Sequence, residues 1–117
     1  MDGHHKLIRY GMITHGCIDG FTRAITWLCV ANDNIATTPL RCFHQAIQVL
    51  GVPSRMRGDY GGENVLVADA MIDLRGGNRG SFLCGSSRFN TRIERLWRDV
   101  RRMVRFLLLC LFLFISY

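Results

Sequence analysis

The chain has 117 residues, of which 49% are apolar and 21% charged, with 12 glycines and two prolines. That composition supports one domain with a buried core, and it excludes a disordered chain or a pair of domains. Lysine and arginine outnumber aspartate and glutamate by 15 to 9, and all but Lys6 of those basic residues are arginine, whose planar fork matches phosphate oxygens.

Three strand-like runs come first. Residues 1–7 form a short opening strand. Residues 10–18 carry Met12, Ile13, Cys17 and Ile18, and Asp19 and Gly20 then give a hairpin turn signal. Residues 24–31 follow with Ile25, Trp27, Leu28 and Val30, so an antiparallel meander is expected. A helix is predicted over 35–50, with Asn34 as its cap and Leu40, Phe43, Ile47 and Leu50 as one apolar stripe ended by Gly51.

A fourth strand is expected over 53–58, and a second helix over 63–74 with Val67, Ala70, Met71 and Leu74 on its buried face. Residues 75–80 read as a glycine-rich basic loop, 81–84 as a brief strand and 85–90 as a polar loop. The last helix starts near Thr91 and is predicted to bury Ile93, Leu96, Trp97, Val100 and Val104. Three strands, helix, strand, helix, strand, helix is an α/β order, expected as a mixed sheet with helices on both faces.

The five cysteines (17, 29, 42, 84 and 110) are odd in number, widely spaced and without CxxC pairs. They read as buried thiols of a reducing compartment, nuclear or cytoplasmic, rather than as a disulfide scaffold. Residues 106–117 are uncharged and mostly apolar. Twelve residues reach about 18 Å as a helix, short of a hydrocarbon core of about 30 Å. A buried terminal helix or a spurious tail on a truncated chain is therefore expected, with a membrane-associated tail as the alternative. The division is a core over 1–105 and an apolar tail over 106–117.

Between Arg88 and Arg105 there are seven arginines against Glu94 and Asp99. A basic helix of this kind suits a polyanion, nucleic acid before anionic lipid, and equally a solvated face. Three carboxylates stand at special places: Asp2 in the first strand, Asp59 at the end of the fourth, and Glu94 in the first turn of the last helix. If the first and fourth strands are neighbours and the last helix packs across their ends, the three converge. Hard oxygen ligands on a rigid frame suit Mg²⁺ or Mn²⁺, and three of them can hold two ions about 3.5–4 Å apart for an in-line phosphoryl displacement. Glu94, Arg98, Arg101 or Arg102, and Arg105 follow helical steps, so the arginine row continues the face that carries Glu94.

The segments MDGHH (1–5), IDGFTR (18–23), GDYGGEN (58–64) and NTRIERLW (90–97) together resemble the core of the retroviral integrase and DDE transposase superfamily, closest to the type found in eukaryotic mobile elements. The resemblance covers about residues 1–103, with the second and third carboxylates 35 positions apart. It implies a ribonuclease-H-like fold with a mixed five-stranded sheet, two-metal DNA cleavage and joining, DNA as partner and a possible homo-oligomer. Asp2, Asp59 and Glu94 become the catalytic metal ligands. Glu63 and Asn64 match the stretch that opens the active-site helix, where side chains touch DNA, and Arg98, Arg101, Arg102 and Arg105 extend that surface. Asp19 falls in a structural turn.

In the family residues precede the first catalytic Asp in its strand, whereas only Met1 precedes Asp2 here. The expectation is a truncated copy, possessing either the two-metal activity or only nucleic-acid binding. His4 and His5 lack partners at zinc spacing and read as a polar strand-end pair. His15 and His44 read as surface or satisfied core residues, Trp27 and Trp97 as core. No cysteine has a histidine base, and no glycine-rich segment has P-loop spacing.

Overall fold

The computed structural model describes residues 1–5, 11–86, 88 and 90–115. The predicted starts and ends of strands at residues 6, 7 and 10, the loop positions 87 and 89, and the last two residues of the tail lie outside the described residues. The elements are β1 (Asp2–His4), β2 (Ile13–Ile18), β3 (Ile25–Ala31), α1 (Thr37–Leu50), β4 (Met56–Gly58), α2 (Val65–Arg75), β5 (Phe82–Cys84) and α3 (Thr91–Ile115). A 3₁₀ turn, Gly62–Asn64, leads into α2.

Among the described residues the strands form two sheets rather than one. β1, β2 and β3 are an antiparallel meander, with Asp2 opposite Gly16 and Gly16 opposite Leu28, while β4 and β5 pair in parallel. The two sheets meet where the Met1 ammonium donates to the Arg57 carbonyl oxygen at 2.6 Å. Between β2 and β4 lies a cavity of about 860 Å³, lined in part by Ile18, Trp27, Phe43, Met56 and Arg57.

The hairpin between β2 and β3 is closed by its own acid. Asp19 Oδ2 accepts from the Thr22 amide at 2.7 Å and from the Thr22 hydroxyl at 2.6 Å, and the Asp19 amide donates to Ala24 O. Those bonds to the charged form hold the Asp19 carboxyl below its usual range.

Side chains alternate across a strand, and here the alternation sorts the helices onto two faces. Cys17 joins Met1, Phe43, Met56, Val67 and Met71 in the main core, with Trp27 edge-on to Phe43 at 6.2 Å. Gly16 and Ile18 face the other way, where Ile93, Leu96 and Trp97 of α3 form a second core with Ile18 and Val100. Arg92 fastens the start of α3 to the hairpin by donating to Gly20 O.

Helix ends follow local chemistry with one correction. Asn34 does not cap α1; its neighbour Asp33 does the equivalent work, accepting from the Thr38 hydroxyl at 2.8 Å and the Ile35 amide at 3.3 Å. The flanking residue Ala36 offers no side-chain acceptor, so the acid one turn earlier takes over. Both α1 and α2 stop at a glycine with positive φ, Gly51 at 80° and Gly76 at 89°, a conformation that side chains disfavour.

Three burial expectations fail. Leu74 is 48% exposed and Val104 41%, and in the tail Phe106, Leu107, Leu111 and Leu113 are all more than half exposed. Val104 and the tail residues lie beyond the stretch from Ile93 to Val100 that packs on the sheet, so on α3 the periodicity continues past its packing surface. Among the described residues no helix is long and apolar enough to cross a membrane.

Candidate active site

Asp2 of β1 and Asp59, just after β4, both lie beside the junction that the Met1–Arg57 bond makes. β1 presents Asp2 on the α3 side, where Oδ2 accepts from the Trp97 indole N–H at 3.0 Å and Oδ1 from the Gly3 amide at 2.9 Å. Burial pushes the Asp2 carboxyl above its usual range; the Trp97 bond opposes that, and the nearby charge of Asp59 adds to it. A second carboxylate is therefore close enough to be felt.

Asp59 follows directly after β4. Its Oδ1 accepts from the Asn64 side-chain amide at 2.7 Å and the Gly61 amide at 3.0 Å. Both bonds fall on one oxygen, which leaves Oδ2 without a donor among the described residues. The Cys84 thiol donates to the Asp59 carbonyl at 3.3 Å, tying the same residue to β5.

Glu63 and Asn64 are buried, at 8% and 4% exposure, because the 3₁₀ turn folds them back under the strand ends. Asn64 spends its amide on Asp59 and is a positioning residue in this arrangement. The Glu63 carboxylate lies between two glycines: a Cβ on Gly61 would collide with it, and one on Gly3 would stand 3.5 Å from Oε1. Glu63 thus brings a third carboxylate next to the residues that flank Asp2 and Asp59.

Glu94 is exposed on the first turn of α3, with its amide bonded to Asn90 O at 3.1 Å and no side-chain hydrogen bond to a described residue. Arg98, Arg101, Arg102 and Arg105 are exposed along the same helix, and Arg101 Nε reaches back to Trp97 O at 3.4 Å. Among the described residues no group of three or more His, Cys, Asp or Glu side chains is gathered closely enough to hold a metal ion. The donor chemistry of Asp2 and Asp59 does fit one: both offer hard carboxylate oxygens, and Asp59 Oδ2 takes no hydrogen bond from a described residue.

Two contributions escaped the sequence. Trp97 reads as core from its helical spacing, and it is 4% exposed, yet its N–H serves Asp2 and its ring stacks on His4 at 5.1 Å. Its place three residues after Glu94, on the face turned to the sheet, was the available signal. Asn64 offered a fainter one, five residues beyond Asp59 in a turn. The cysteine reading also needs correcting: Cys17 and Cys42 are buried, but Cys29 is only partly so, and Cys84 and Cys110 are exposed. His15 is a satisfied core residue at 2% exposure, with its ring nitrogen 3.4 Å from Asp33 O, whereas His44 is exposed.

An α/β chain with an antiparallel three-stranded meander, a parallel pair beside it and an acidic pair at their junction is the setting in which a family comparison becomes informative. The model of the integrase core domain matches residues 1–116, and the chain belongs to that family, within the retroviral integrase superfamily. Domains of this family act on DNA in polynucleotidyl transfer and typically use divalent metals. No curated protein and no solved structure matches the chain.

Proposed function

We propose that this chain is an integrase-type core that binds DNA and carries out two-metal polynucleotidyl transfer, cleaving and joining DNA strands, with Asp2, Asp59 and Glu94 as the catalytic carboxylates. The observation that carries the reading is that Asp2 and Asp59 stand where the two sheets are joined by the Met1–Arg57 bond, each carboxylate held by its own donor, Trp97 and Asn64. Asp2 and Asp59 would hold Mg²⁺ or Mn²⁺, which would supply charge neutralisation at the phosphate and activation of the attacking water or hydroxyl. Trp97 fixes the orientation of Asp2, and Asn64 that of Asp59, so both carboxylates are oriented before a substrate arrives. Glu94 completes the set from the helix that also carries Trp97.

The row of Arg98, Arg101, Arg102 and Arg105 binds the phosphate backbone beside those carboxylates, and Glu63 and Asn64 border the DNA path. We further infer a single ribonuclease-H-like sheet in the order β3-β2-β1-β4-β5, five strands rather than three and two; the bond from Met1 to Arg57 supports that join. Residues 1–105 then form the catalytic unit and 106–117 an appended apolar segment. A homo-oligomer on DNA and a nuclear or cytoplasmic site of action accompany this reading.

The test is Mn²⁺ titration by calorimetry into the folded full chain and its Asp59→Asn variant, followed by metal-dependent nicking of a labelled duplex. Saturable binding that the variant loses, with nicking lost in Asp59→Asn and Glu94→Gln, is the expected result. Equal nicking by the folded variants would overturn the assignment. The exposed, separate position of Glu94 favours a second reading, a non-catalytic nucleic-acid binder built on the same arginine face. Salt-sensitive DNA binding with no metal uptake and no turnover would select it.

A further inference from the structure

Cys29 of β3 and Cys42 of α1 place their sulfur atoms 2.8 Å apart. Thirteen positions separate them in the chain, and neither belongs to a CxxC pair. Two folded surfaces bring them together. β3 turns Trp27 and Cys29 to the same side, and α1 meets that side with Phe43 and Cys42, so the Trp27–Phe43 and Cys29–Cys42 contacts lie in one interface. The separation is well inside the van der Waals contact of two thiol sulfurs, and only a short approach divides it from the ordinary disulfide bond of about 2.05 Å. Cys42 is buried and Cys29 partly exposed, so a reagent reaches the pair from the Cys29 side.

We propose that Cys29 and Cys42 are an oxidisable dithiol site, which a low-molecular-weight disulfide such as oxidised glutathione converts to an intramolecular disulfide joining β3 to α1. Burial and the neighbouring Cys42 push the Cys29 thiol up to about 12, so the reaction is slow at neutral pH. As Cys29 gives up its proton its sulfur attacks one glutathione sulfur, forming a mixed disulfide and releasing one glutathione thiolate that takes up a proton. The Cys42 thiolate then attacks the Cys29 sulfur and releases the second. Overall two protein S–H bonds and one S–S bond of the reagent become one protein S–S bond and two glutathione thiols, with no other oxidant required.

The position of the bond matters for the rest of the molecule. Pro39, one turn before Cys42, lines a small crevice with Asp2, Gly16 and Asn64. The bond therefore ties the helix beneath the acidic pair to the meander that carries Asp2. Closing a ring of this length lowers the unfolding equilibrium constant by about 100-fold when the native fold accepts the bond without strain. The inference stands on the β3–α1 interface alone and does not require DNA or metal activity.

The test oxidises the reduced full chain with oxidised glutathione, once in native buffer and once in urea. Remaining thiols are then alkylated under denaturing conditions and the linked peptides mapped by mass spectrometry. In native buffer five alkylated cysteines are expected to fall to three, with one linkage joining the peptides of Cys29 and Cys42 and a raised Tm. In urea the linkages are expected to scatter among the five cysteines. Cys42→Ala and Cys29→Ser should each keep all four remaining thiols free of an internal bond in native buffer. Five alkylatable cysteines after native oxidation, a different linkage, or the same mixture in both solvents would overturn the proposal. A Tm lowered by the bond would do so as well, since it would mean that the fold does not accept the link.

Discussion

Replacing Gly16 with alanine tests how α3 is seated and how Asp2 is held. Gly16 does not have positive φ, so alanine carries no backbone penalty there and the effect is steric alone. Its Cβ would lie 2.7 Å from Trp97 Cη2, 3.4 Å from Trp97 Cζ2 and 3.3 Å from Leu28 Cδ1. The indole is 4% exposed and bonded to Asp2, so it yields only by sliding away from the sheet and stretching that 3.0 Å bond. Overpacking of this kind costs about 1–3 kcal/mol. At about 4 °C per kcal/mol for a domain of this size, the Tm should fall by roughly 4–12 °C. Thermal unfolding followed by circular dichroism reads the loss, and tryptophan fluorescence reads the displaced indole. The decisive control is Gly16→Ala combined with Trp97→Phe, because phenylalanine lacks the distal ring atoms that collide. The two costs should then fail to add, by about 1 kcal/mol or more. An unchanged Tm, or costs that simply add, would refute the argument that Gly16 is the seat of Trp97.

Three further outcomes follow from the same geometry. Asp2 is raised above its ordinary value in the folded state, so the folded chain binds that proton more tightly than the unfolded one. Its contribution is neutral below the unfolded value of 3.8, becomes a stability loss as pH rises through the folded value, and is constant above it. Asp2→Asn should therefore exceed the native chain in stability at neutral pH, with an advantage that vanishes on acidification; urea titrations across pH measure it, and an advantage that grows towards low pH would contradict the burial account. Asp33→Ala strands the buried Thr38 hydroxyl and frays the start of α1, at a cost of about 1–3 kcal/mol, visible as lost amide-exchange protection over the first turn. Neutralising Arg98, Arg102 and Arg105 to glutamine should weaken duplex binding and flatten its dependence on salt by about one unit of slope for each phosphate no longer neutralised; an unchanged slope would place the DNA elsewhere.

Element order and type were legible because each rests on neighbours in the chain. Period-two runs marked β2 and β3, the stripe from Leu40 to Ile47 marked α1, and glycines marked where α1 and α2 stop. The four motif segments likewise carried a resemblance to the integrase core, the family whose model matches residues 1–116. What the sequence could not weigh was where each helix outlasts its partner surface. Val104, Phe106, Leu107, Leu111 and Leu113 keep helical spacing beyond the packed stretch of α3, and Leu74 keeps it on α2, so the pattern alone promises a burial that the fold does not deliver. The cap of α1 shows the same limit at short range: Asn34 and Asp33 are both competent acceptors, and only the path of the loop selects Asp33.

Composition and local pattern by themselves determined a basic α/β chain, and four motif segments gave it its resemblance to an integrase core. Tertiary structure decided which groups meet. It set Trp97 on Asp2 across 95 residues of chain, Asn64 on Asp59 around one turn, and Cys29 against Cys42 between a strand and a helix. It also left Glu94 on the exposed face of α3 and turned Glu63 inward beside Gly3 and Gly61. The physical reason is that helix and strand periods fix the face a side chain occupies, whereas its partner depends on how two separate elements dock, and docking is settled by packing around Gly16, Phe43, Val67 and Met71 rather than by any local run of residues.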